Sequence, residues 1–155
     1  MQKNSELIHN SINQILHTSP SLKFVLLIDK NGIMISKVTK LSFFDSEREI
    51  DKLAVFSTAV CASAEEQGLG TPFGDLKITI SEYNNGIIFI TPIKNAIIVV
   101  GAKHETQIGL IRSKIYRIKS QIENAIDSFI SEDLFGDAEL NDQLKVLFQD
   151  TNGNF

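Results

Sequence analysis

The chain has no tryptophan, one cysteine, three prolines and three histidines in 155 residues. A lone Cys61 excludes a disulfide within the chain and suits a reducing compartment. His9, His17 and His104 are scattered, and with a single cysteine no metal-ligand spacing exists. The longest apolar runs, residues 24–28 and 96–100, are strand-length and too short to span a bilayer. Residues 1–10 carry no apolar run of the signal-peptide kind. An excess of positive charge is missing too: 15 Lys and Arg stand against 19 Asp and Glu, for a formal net charge of -4. That balance speaks against a nucleic-acid partner, which wants a basic surface. The expectation is a cytoplasmic protein with no direct membrane insertion and no nucleic acid.

What remains is the composition of a globular domain. Hydrophobic residues make up 43% and charged residues 22%, and the length suffices for one domain with a real core. Apolar residues at spacings of three and four (Leu7, Ile8, Ile12, Ile15, Leu16) predict an amphipathic helix over 4–17. Residues 23–29 read as a strand buried on both faces. Lys30-Asn31-Gly32 predicts a hairpin turn into a second strand, 33–39. A connection with two exposed-looking aromatics, Phe43 and Phe44, leads to a helix over 46–67 that stops at Gly68. Residues 75–82 alternate, with Leu76, Ile78 and Ile80 on one face and Lys77, Thr79 and Ser81 on the other, as a strand near a sheet edge does. Asn84-Asn85-Gly86 is a second hairpin signal, followed by a strand over 87–91 that Pro92 ends and another over 96–102. From Thr106, Ile108, Ile111, Ile115, Ile118, Ile122, Ile126 and Phe129 form one stripe of a long helix ending at Ile130. Beyond lies an acidic tail, 131–155, with a short extra helix allowed by Leu140, Leu144, Leu147 and Phe148, and a frayed end over 151–155. The order α-β-β-α-β-β-β-α, with short hairpins and one long crossover, implies an α/β sandwich around a mostly antiparallel sheet.

The helix over 46–67 is unusual in being apolar on two sides. Ile50, Leu53, Ala54, Ser57, Val60, Cys61 and Ala64 fall on one side, and Val55, Ala59 and Ala62 nearly opposite. A helix with two apolar sides needs burial on two sides. One can cover this chain's own sheet; the other calls for a partner.

Chemistry is hard to find. Cys61 reads as a small buried hydrophobe rather than a nucleophile, for which nothing supplies both an activating base and exposure. The loop Gly68-Leu69-Gly70-Thr71-Pro72-Phe73-Gly74 follows a helix and opens a strand, the reverse of a phosphate-binding loop. Glu65 and Glu66 read as a solvated helix end. Arg112, Lys114, Arg117 and Lys119 read as the polar face opposite the isoleucine stripe. No catalytic residue, cofactor or metal is assigned.

Three short motifs in this order resemble the roadblock/dynein light chain domain, a family related to Ragulator subunits and bacterial polarity regulators. They are Asp29-Lys30-Asn31-Gly32-Ile33-Met34-Ile35-Ser36, the stretch 86–92 ending in Pro92, and Ile108-Gly109-Leu110-Ile111-Arg112. The resemblance covers residues 5–130, so the domain is set at 1–130; a longer, more aromatic segment over 38–45 departs from the pattern. It implies a five-stranded antiparallel sheet in the order 2-1-5-4-3, the central helix on one face and the terminal helices on the other. It further implies a non-catalytic dimer, homodimer or heterodimer, joined through its third strands and central helices, that binds small Ras-like GTPases or joins larger scaffolds. The dimer contacts expected here are Val55, Ala59, Ala62 and Glu66 on the helix, and Leu76, Lys77, Ile78, Thr79 and Ile80 on the strand. The rival readings are a ligand-sensing domain of the profilin-like or PAS/GAF kind, which needs a polar-lined cavity, and a longin-type trafficking adaptor, which starts with its strands.

Overall fold

A computed structural model of the chain describes residues 2–40 and 43–150; the end expected to fray, 151–155, lies outside them. The elements are α1 (Gln2–Leu16), β1 (Leu22–Asp29), β2 (Met34–Thr39), α2 (Glu47–Leu69), β3 (Thr79–Tyr83), β4 (Gly86–Ile93), β5 (Ala96–Ala102) and α3 (Ile108–Asp150). The strands form one sheet in the order β2-β1-β5-β4-β3, with every neighbouring pair antiparallel. The expected topology and strand order are those the chain adopts. Central strands β1 and β5 are covered on both faces, which is why they read as unbroken apolar runs. β2 and β3 are the two edges.

Two unequal layers cover the sheet. On one face α1 and α3 lie together, with Ile12, Ile15, Ile111, Ile115 and Ile122 packed against Val25, Leu27, Ile98 and Val100. Each such isoleucine contributes about 1.5–3 kcal/mol by leaving water, so this layer is firmly held. On the other face α2 stands alone, and of its 23 residues only Ile50, Ala54, Ser57 and Cys61 are buried. Two of these four are small and one is polar. The α2 layer is therefore the weakly anchored one, with most of its circumference uncovered.

The first hairpin turn is held by Asp29. Its Oδ1 accepts the backbone N–H groups of Asn31 and Ile33, both at 2.8 Å, and the Asp29 carbonyl accepts that of Gly32 at 3.1 Å. Gly32 has φ +85°, and a Cβ there would lie 3.2 Å from Thr58 Oγ1 on α2. The turn thus needs glycine twice, for its backbone and for the approach of the helix.

The structure departs from the sequence expectations at several places. α2 passes through Gly68 in helical conformation and ends at Leu69. A side chain at position 68 would strike the carbonyl of Gly74, so the glycine serves the returning loop and not a left-handed stop. β3 starts only at Thr79, because its pairing with β4 begins at Thr79↔Ile90. Without strand geometry before that point, Leu76 and Ile78 do not share a face: Leu76 packs with the α2 layer and Ile78 with the α1–α3 layer. β4 continues through Pro92 to Ile93, where it has run past β3 and pairs with β5 alone, so a residue lacking an N–H is tolerated. Phe44 is not exposed as expected; it packs on Phe24 with ring centroids 5.0 Å apart, while Phe43 is 46% exposed. Finally, α3 does not stop at Ile130. It runs unbroken for 43 residues to Asp150, in place of a tail with a separate short helix. No proline follows Pro92 to end the helix.

Candidate interaction surface

α2 is the element that positions this surface. Thr58 lies against the β1–β2 turn, whereas Leu53 shares an apolar groove with Phe44, Tyr83 and Ile88. One flank of α2 therefore turns toward β1–β2 and the other toward β3–β4. Helical spacing places Phe56 and Val60 beside Leu53 on the β3 side. Phe56 is 66% exposed and Val60 43% exposed.

Val55, Ala59, Ala62 and Glu66, the helix positions singled out from sequence, are all exposed on the side of α2 that faces away from the sheet. Val55 and Ala62 lie toward the β1–β2 flank, and Glu66 lines a mixed-charge hollow with Lys30 and Lys119. Val60 was expected to face the sheet and does not, and Ala64 is only half-buried. Phe56 was missed altogether. The available signal was its position, one turn from Val60 and three residues after Leu53, on a flank that a two-sided wheel overlooks.

The strand part of the surface sits at the sheet edge. Thr79 and Ile80 lie in β3, opposite Ile90 and Phe89 of β4; Leu76, Lys77 and Ile78 lie in the preceding irregular segment. Cross-strand partners share a face, so Thr79 and Ser81 point to the α2 side and Ile80 to the α1–α3 side. Among the described residues β3 has no neighbouring strand on its outer side, which leaves a row of backbone N–H and C=O groups open. An open strand edge and an uncovered apolar helix flank lie side by side. Larger exposed apolar patches on soluble proteins mark interaction sites.

The other candidates from sequence are accounted for locally. His9 lies exposed on α1, as expected, His17 lies exposed in the turn just after it, and His104 Nε2 is 2.9 Å from the Asn84 carbonyl. Among the described residues, no three His, Cys, Asp or Glu side chains converge to hold a metal ion. Glu65 pairs with Lys30 at 3.4 Å, and Arg112 lies over the Tyr116 ring. Among the described residues, no helix is long and apolar enough to cross a membrane.

Cys61 is fully covered between α2 and the sheet. Burial, with the nearby Glu65 carboxylate, pushes its thiol up to about 11, against a weaker opposing pull from Lys30. The thiolate is the reacting form, so at pH 8 Cys61 is expected to react with iodoacetamide about a hundredfold more slowly than in the urea-unfolded chain. Because the folded pKa is the higher one, the protonated thiol's contribution to stability is full below pH 9 and lost as pH rises toward about 11. Equal labelling rates for folded and unfolded chain, followed by mass spectrometry, would remove Cys61 from the core.

Comparison with known proteins adds the following. A family model described as "mitogen-activated protein kinase kinase 1 interacting" matches residues 6–130. No curated protein sequence matches. Among solved structures, MglB of Myxococcus xanthus is 19% identical with a TM-score of 0.69, over 80% of this chain and 90% of that one. The gliding protein MglB of Thermus thermophilus is 13% identical with a TM-score of 0.71, over 81% and 92% of the two chains. A Roadblock/LC7 domain from Streptomyces avermitilis is 12% identical with a TM-score of 0.68, over 76% and 96%. At these identities the likeness is one of fold.

Proposed function

The chain belongs to the mitogen-activated protein kinase kinase 1 interacting family and has the roadblock/LC7 fold, and from that premise we propose that it is a non-catalytic dimeric scaffold. Two copies pair through β3, edge to edge, and pack their α2 helices side by side over the joined sheet. One observation carries this reading: the weakly anchored α2 leaves Phe56, Val60 and Ala59 uncovered beside an open strand edge. A two-fold axis beside β3 satisfies both needs at once, since the same operation that pairs the strands brings the two helix flanks together. The interface then centres on Phe56 and Val60 with Thr79 and Ser81, and the earlier expectation of Val55, Ala62 and Glu66 moves to its rim.

The partner class is a small Ras-like GTPase, bound on the surface of the paired helices. The other layer is filled by aliphatic side chains from both the sheet and the helices, and a ligand-sensing domain would want a polar-lined cavity there. A longin-type adaptor would begin with its strands, and this chain begins with α1 packed into the core. The family's description names a kinase as what its members interact with, so a protein kinase is the second partner class.

The test is a pull-down with the immobilised chain against small GTPases from the same source, each loaded with GDP or a GTP analogue, beside a kinase arm. Retention of a GTPase in one nucleotide state is the expected result and points to regulation; retention in both points to scaffolding. Retention of kinase alone, or of neither, overturns the GTPase assignment.

A further inference from the structure

The opposite edge of the sheet carries a cluster of groups that the α2–β3 surface leaves unused. Among the described residues β2 pairs with β1 alone, so it too has an open row of backbone N–H and C=O groups. Beside it, α1 and β2 wall a groove of about 510 Å³. His9 and Asn13 of α1, with His17 just past its end, line it at intervals of four, and Lys40 lines it from the strand side; Lys37, opposite Leu26 of the α2 layer, carries its side chain to the other face of the sheet. Among the described residues lining the groove, none is a carboxylate. Lys37 pairs with Glu47, and Lys40 Nζ donates to the Pro20 carbonyl at 2.8 Å.

At the end of this groove lysines crowd together. The Lys40 N–H donates to the Lys23 carbonyl and the Lys103 N–H to the Ser21 carbonyl, each at 2.9 Å, so three lysines stand at adjoining strand ends. Lys23 falls at the irregularity in the β1–β5 register, between Leu22 and Phe24. Its ammonium pKa is held below the usual lysine value, by desolvation first and then by Lys103 and Lys40; Glu105 pulls the other way without reversing the shift. Crowded cations on an acidic chain mark a place where an added anion gains the most.

Charge also selects the occupant. A second β2 edge would bring a second set of the same lysines to this edge, and like charges across a strand pair are destabilising. A strand of opposite sign meets the same open backbone without that repulsion. We propose that the β2 edge takes up an extended acidic segment of a partner protein as a sixth strand, its backbone along Met34–Thr39 and its carboxylates on Lys40 and the neighbouring Lys23 and Lys103. In such strand addition the main chain supplies affinity and the side chains supply selection. This site is separate from the α2–β3 surface, and its fate does not depend on that reading.

The experiment uses the full chain and a fluorescein-labelled peptide of about eight residues, alternating valine and glutamate, followed by fluorescence anisotropy. Two further peptides complete it: the valine–lysine counterpart, and the valine–glutamate peptide N-methylated at alternate residues so that it cannot donate to a strand. The acidic peptide is expected to bind, to weaken as salt rises to about 0.15 M, and to slow amide exchange in β2 and not in β3. Lys40→Glu with Lys103→Glu is expected to weaken it at least about tenfold. Equal binding of the lysine peptide, equal binding of the N-methylated peptide (charge alone), or protection in β3 instead of β2 overturns the proposal. The peptide comparisons use the unaltered chain, so they decide even where the double substitution folds poorly.

Discussion

Phe56→Glu is expected to turn a dimer into a folded monomer. Light scattering after size exclusion should report twice the chain mass of 17.2 kDa for the unaltered protein at micromolar concentration, and a single chain mass for the variant. The physical case rests on exposure. Phe56 is 66% exposed in the isolated chain, and a substitution at such a site changes subunit stability by about 0.5 kcal/mol or less. At the centre of an interface the same aromatic would act as an anchor whose loss costs about 2 kcal/mol or more. A two-fold axis also brings the two introduced carboxylates near each other. The dissociation constant should therefore rise at least about a hundredfold. Ala59→Arg should act in the same direction by blocking close helix approach, and Leu110→Glu, exposed on α3, should not. A monomeric wild-type chain at micromolar concentration, or a Phe56→Glu variant that remains dimeric, would remove this interface from consideration.

Gly101→Ala is expected to destabilise the sheet strongly. Gly101 lies in β5 opposite Phe24, and a Cβ there would overlap the Phe24 ring. That ring has little room to yield, because Phe43 and Phe44 pack on it with centroids 5.4 and 5.0 Å away. Overpacking of this kind costs about 1–3 kcal/mol. For a chain of this size that corresponds to a fall in Tm of roughly 3–9 °C. Urea unfolding should show the midpoint shifted at unchanged slope. Phe24→Leu should be destabilising alone yet recover much of the loss when combined with Gly101→Ala, because both act on one contact. Additive losses in the double variant would place the damage somewhere other than this ring.

Much of the architecture was legible because the sheet writes itself into the sequence. Residues 24–28 and 96–100 are continuous apolar runs for the reason that β1 and β5 are covered on both faces. The isoleucines of α3 fall at helical spacing because one side of that helix lies on β4 and β5. Strand order was another matter: periodicity alone does not place β5 between β1 and β4, and the order came from the likeness of three short motifs to a known domain. The failures share a cause. Leu76, Ile78 and Ile80 alternate as a strand would, yet alternation assigns faces only where a partner strand holds the backbone, and that begins at Thr79. Val60 and Phe56 were misjudged because a wheel tells which residues share a side but not how wide the covered side is. Here the covered side is narrow, four residues in 23, so a flank that looked interior is surface. The end of α3 was misplaced because the isoleucine stripe marks where the helix lies on the sheet and not where the helix stops.

A sheet of five strands in a row has two ends, and β2 and β3 lie about 19 Å apart across the intervening strands. That separation sets a valency. When β3 is taken up by a second copy, each chain keeps one end, and the joined ten-strand sheet carries two β2 edges roughly 43 Å apart. A partner with two matching segments on a linker long enough to span that gap would bind through the second as an intramolecular step, gaining as much as about 10²–10⁴ in apparent affinity with no new contact. A partner with a shorter linker would gain nothing, so the width of the sheet acts as a length filter on what it holds.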